Sequence, residues 1–144
     1  MITDKLLRVS EDQAVTTTAV SENTIDLGVA RDIGEGMTLT MYFAITEAFA
    51  GGTSTAFEVI IADNEALTSN VEVVSSSGPE LTATLKVGAA VAVKINPLIG
   101  SKGKRYMGAR YTVAGTNTAG KVTADVVETI QDGKKFYASG FTVA

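Results

Sequence analysis

A chain of 144 residues with no cysteine, no histidine and a formal net charge of −4 excludes several chemistries at once. A disulfide framework, thiolate or imidazole metal sites, a Ser-His-Asp triad and a general base that titrates near neutrality all fall away. A pI near 4.8, with mean hydropathy of +0.21 and aromatics at 6%, argues against a nucleic-acid partner and describes apolar content that is mainly small and β-branched, enough for an oligomer interface as well as a core.

The length suits one domain that buries roughly 70% of its unfolded surface without staples. No apolar run approaches the roughly 18 residues of a membrane span. The start, MITDKLLRVSEDQ, also lacks the apolar core and cleavage site of a secretory signal, so use without export is expected. Residues 1–12 carry one turn's worth of apolar spacing and read as an N-terminal arm. Residues 13–144 then read as one β domain with a short C-terminal tail.

In chain order, AVTTTAV at 14–20 suits a strand, Ser21 to Asn23 a turn, and Thr24 to Leu27 a short extended piece. Gly28 to Gly36 gathers Asp32 and Glu35 near Asp26, but the spacing is not that of a calcium loop, and a solvated loop is expected. From Met37 to Ala50, Leu39, Met41, Phe43, Ile45 and Phe49 share one side. Glu47 interrupts that side, which predicts a bulge at 46–48, and Gly51-Gly52 ends the run. Ala56 to Ala62 is a strand with Phe57, Val59 and Ile61 inward, and Asp63 to Asn70 a polar connection with room for one helical turn. Val71 to Val74 is extended. Ser75-Ser-Ser-Gly-Pro79 reads as a loop, because proline cannot donate to a central ladder. Leu81, Ala83, Leu85 and Val87 alternate as a further strand, and Val91, Val93 and Ile95 as the next, which Asn96-Pro97 stops.

Lys102, Lys104 and Arg105 form a small basic group, and a solvated loop is the expectation for it. Arg105 to Glu128 reads as a long hairpin. Met107, Ala109, Tyr111 and Val113 on one arm, and Val122, Ala124 and Val126 on the other, face inward across the turn AGTNTAG. The string GTNTAGK matches GxxxxGK, yet Val122 stands where a magnesium-binding hydroxyl belongs, and the residues after Lys121 alternate as a strand. Gln131 to Lys134 is a turn before the aromatic tail FYASGFTVA.

Eight or nine strands and no long helix predict an all-β chain, specifically a jelly-roll-like antiparallel sandwich, with an immunoglobulin-like sandwich as the alternative. Four strings, DQAVTTTAVSENTIDLG, ARDIGEG, LTATLKVGAAVAVKINP and RYMGARYTVAGTNTAGKVTADVV, resemble a family of head-decoration, or capsid cement, proteins of short-tailed bacteriophages. The resemblance implies a structural protein without catalytic residues, metal or cofactor. It also implies a homodimer or homotrimer that binds major capsid protein on the capsid exterior after synthesis in the bacterial host cytoplasm. Candidate contact groups are the N-terminal arm, Tyr106 and Arg110 on the hairpin, and Phe136, Tyr137 and Phe141 in the tail, since Tyr and Arg are favoured at interfaces. A carbohydrate-binding or fibre-type adhesion module is the alternative function, weakened by the absence of Trp. A carboxylate-only glycoside hydrolase lacks a visible pair of acids.

Overall fold

The computed structural model describes residues 3–28, 38–128 and 130. Its strands are β1 Arg8–Ala14, β2 Ala19–Val20, β3 Ile25–Asp26, β4 Thr40–Ala50, β5 Ser54–Ala62, β6 Glu72–Leu81, β7 Ala90–Lys94, β8 Tyr106–Ala114 and β9 Ala119–Val127. The only helical pieces among the described residues are 3₁₀ turns at Lys5–Leu7, Thr82–Thr84 and Pro97–Lys102. One sheet has the order β1-β9-β4-β7, and the other β2-β8-β5-β6 with β3 also on β8. Pairing is antiparallel and nested: β1 with β9, β2 and β3 with β8, β4 with β7, β5 with β6. That nesting is the jelly roll, and it sets aside the immunoglobulin-like order.

The expected hairpin is corrected. β8 and β9 lie in opposite sheets, β8 against β5 and β9 against β4, so residues 115–118 arch across the sandwich. Alternation states that one face of a strand is covered and is silent about what covers it. The faces themselves are as read, with Met107, Ala109, Tyr111, Val122, Ala124 and Val126 all buried.

Between the sheets, Phe57 packs on Phe43 at 5.1 Å, Tyr111 at 5.9 Å and Phe49 at 6.2 Å between ring centroids. Tyr111 is fully buried, and its hydroxyl lies 2.7 Å from Ser10 Oγ. Ser10 Oγ donates its proton to Gln13 Oε1 at 2.6 Å, so Tyr111 must be the donor to Ser10. Burial holds the phenol far above its usual pKa.

Several local expectations shift. Most of the stretch read as an arm is structural: Asp4 caps the first 3₁₀ turn, β1 starts at Arg8, and Val9 and Ser10 are fully buried. Residues 15–18 of the first expected strand are a connection between β1 and β2. The bulge in β4 is present, with register shifts on both sides of Glu47, while Leu39 is 40% exposed instead of joining the core.

Ser75 to Pro79 is not a loop but the middle of β6. β6 is an edge strand, where a proline facing solvent costs no ladder bond, and register shifts beside it absorb the irregularity. Leu81 ends β6, and the rest of the strand expected over 81–87 is instead a 3₁₀ turn at Thr82–Thr84 followed by a further turn at 87–88. Leu85 alone turns inward at 2% exposure, while Leu81 and Val87 stand 60% and 68% exposed. Hydrogen bonds explain the change. Thr82 N–H donates to the Thr53 carbonyl at 3.2 Å and its Oγ1 to the Gly52 carbonyl at 2.8 Å, which holds this connection against the β4–β5 turn.

The connection 63–70 folds back over the outer face of the second sheet. Leu67, with φ of 54°, seats against Ile60 and Ala62, with Val20, Val71 and Tyr106 around them, in a small cluster outside the main core. Left-handed backbone at a leucine costs about 1–2 kcal/mol, and full burial of its side chain offsets that with about 1.5–3 kcal/mol.

Candidate docking faces

The outer face of the β2-β8-β5-β6 sheet carries both described residues singled out from sequence. Tyr106 and Arg110 point to the same side of β8, roughly 13 Å apart at strand rise. Arg110 Nε donates to Glu58 Oε2 at 2.6 Å, and Thr112 Oγ1 donates to the same oxygen at 3.0 Å. With side-chain exposures of 32% and 14%, Arg110 and Glu58 form a half-buried pair across the register Glu58↔Arg110. Tyr106 is half-buried beside the Leu67 cluster, with the Arg105 guanidinium 5.3 Å from its ring centroid. The sheet thus brings Tyr106 and Arg110 together on one face, each already engaged within the chain. Phe136, Tyr137 and Phe141, with the turn at 131–134, lie outside the described residues, as do Asp32 and Glu35.

The basic group at 102–105 is solvent-exposed at Lys102 and Arg105, as expected, and is also ion-paired. Lys102 pairs with Glu72 at 2.9 Å, Lys104 with Asp63 at 3.7 Å, and Arg105 with both carboxylate oxygens of Asp26 at 2.8 and 2.7 Å. Each cation meets an acid from a different element, so the group neutralises one end of the sandwich. The bidentate Arg105 bond, with the Gly28 amide, holds the Asp26 carboxyl down at about 2. On the other sheet, Arg8 bridges Asp125 at 2.8 Å and Glu11 at 2.9 Å, and Lys121 meets Glu47 at 3.4 Å. Among the described residues, no group of three or more acids could hold a metal ion.

At the opposite end, the string that imitates a phosphate loop does structural work. Asn117, 2% exposed, donates from Nδ2 to the Val15 carbonyl at 3.0 Å, and its backbone N–H donates to the Thr16 carbonyl at 2.8 Å. A strand comes next in the chain, so no helix N-terminus exists there to meet a phosphate. Sequence reasoning missed this tie because an asparagine in a Gly-Thr string looks like any turn residue.

The Bbp16 family model matches residues 9–126. The chain belongs to the Bbp16 family. Bbp16 is a phage-associated family name, and the matched range runs from β1 almost to the end of β9, so it covers the whole sandwich. Comparison with curated proteins gives no match. Among the described residues, Leu6, Val87 and Leu81 are the most exposed large hydrophobic side chains, at 86%, 68% and 60%.

Proposed function

We propose that this Bbp16 protein is a structural virion component that decorates the exterior of an icosahedral phage capsid. As a homodimer or homotrimer it bridges neighbouring major capsid protein subunits and stabilises the shell, after synthesis in the bacterial host cytoplasm. The observation that carries this reading is the coincidence of a phage-associated family match with the entire jelly roll. The acids Asp26, Glu47, Glu58, Asp63, Glu72 and Asp125 each sit on a cation of the same chain. That arrangement suits passive binding better than catalysis, and the reading includes no enzyme activity, cofactor, nucleic acid or membrane.

The physics of the role is linkage. A protein that binds the assembled lattice and not its separated subunits stabilises the lattice by about 2.7 kcal/mol per site at a hundredfold excess over Kd. When one oligomer spans two capsid subunits, the second contact is intramolecular, and modest interfaces suffice. Electron microscopy of capsids assembled with and without the protein is the test. Density for the sandwich over the junctions between capsid subunits, with a raised temperature of genome release, is expected; a homogeneous protein that never sediments with capsids overturns the reading. Deleting residues 136–144 is expected to weaken capsid sedimentation more than it lowers the urea midpoint of the free protein.

A further inference from the structure

Residues 63–70 are tied mainly to themselves. Asp63 N–H donates to the Ser69 carbonyl at 3.0 Å, Leu67 N–H to the Asn64 carbonyl at 3.1 Å, and the Thr68 and Ser69 amides to Asn64 Oδ1 at 2.9 Å each. Asn70 Nδ2 closes the ring onto Asp63 Oδ2 at 2.6 Å. Among the described residues, the polar tie from this segment to the rest of the fold is the Lys104–Asp63 contact at 3.7 Å. The other anchor is apolar: the Leu67 side chain, 2% exposed, reaches the space above Gly108 that a Cβ there would fill. Both Leu67 and Asn70 hold left-handed backbone, with φ of 54° and 48°. Strain, internal hydrogen bonding and a single buried plug together describe a unit that detaches without breaking a sheet.

We propose that residues 63–70 form a strap that opens as one unit and uncovers an apolar seat made by Ile60, Ala62, Gly108 and Tyr106 on the outer face of β5 and β8. Ile60 and Ala62 are fully buried although their side chains point away from the main core. Leu67 of the strap packs over them, with Val20, Val71 and Tyr106 around the edge. Its opening changes the Tyr106 end of that face from a closed surface to a leucine-shaped recess and leaves the two sheets intact. The inference is independent of the capsid reading, because it concerns motion within the isolated chain.

The absence of native cysteine makes thiol labelling the direct test. Ala62→Cys and Ile60→Cys place reporters beneath the strap, and Ala124→Cys places a reference in the main core, each treated with a disulfide reagent across a urea series. Either reporter is expected to react at least about 100-fold faster than the reference, with a rate insensitive to urea below the unfolding transition. Adding Leu67→Ala is expected to accelerate both reporters about 10-fold, with rates still insensitive to urea below the unfolding transition. Reporters that react only as slowly as Ala124→Cys, with the same rise in urea, overturn the strap.

Discussion

Asn117 ties the β8–β9 connection to the β1–β2 connection, its side chain through the Val15 carbonyl and its backbone N–H through the Thr16 carbonyl, while its Oδ1 lies against Gly52 in the β4–β5 turn. Gly52 has no Cβ to occupy that position, which is why the Gly51-Gly52 pair does more than end a strand. Gly52→Ala is expected to lower stability by about 1–3 kcal/mol through overpacking, read as a fall in the urea midpoint. Asp26 supplies a pH signature. Its folded pKa of about 2 lies below the unpaired value of 3.8, so its contribution is fully present above 3.8 and is lost as pH falls through about 2. Urea midpoints measured from pH 5 to pH 2 should fall less steeply for Asp26→Asn than for the native chain; identical slopes would remove Asp26 from the acid response. The double pairing of Asp26 with Arg105 was invisible in sequence, since the two residues meet only when β3 lies along β8.

Among the elements, the connection between β6 and β7 separates pattern from outcome most sharply. Leu81, Ala83, Leu85 and Val87 alternate as a strand does, yet the peptide groups at Thr82 and Leu85 bond to the β4–β5 region instead, Phe49 N–H meeting the Leu85 carbonyl at 2.9 Å. Leu85→Ala is therefore expected to cost about 2–5 kcal/mol, while Leu81→Ala and Val87→Ala stay within about 0.5 kcal/mol of the native chain. Equal losses at all three positions would restore the strand. β6 teaches the complementary lesson. Gly78 and Pro79 read as a break, but an edge strand needs ladder bonds on one side only, so the sheet runs through them. In β4, by contrast, the bulge at Glu47 was legible, because a charge on the apolar side of a strand has to be turned out.

For the whole molecule, nested pairing sets both cooperativity and speed. β1 closes on β9 through partners such as Arg8↔Asp125, so the last contacts join the two ends of the domain. Refolding is expected in the millisecond-to-second range typical of non-local β topologies, measured by stopped-flow fluorescence of tyrosine. A chain ending at residue 118 deprives β1 and β4 of their shared neighbour. Circular dichroism of that truncation is expected to show no native sheet, whereas an intact spectrum would deny β9 its central place.

The sequence by itself determined that the chain is all-β, where most strands run, and which side chains of β4, β5, β8 and β9 face inward. Those are local properties, since the pleat turns every second residue to the same side. Only the tertiary structure decided which strand lies beside which, that β8 and β9 face each other across the core, that the basic group at 102–105 is neutralised, and that Leu67 closes an outer seat. Each of these depends on residues distant in the chain meeting at short range, and alternation is identical whether the covering surface is a neighbour in sequence or the opposite sheet.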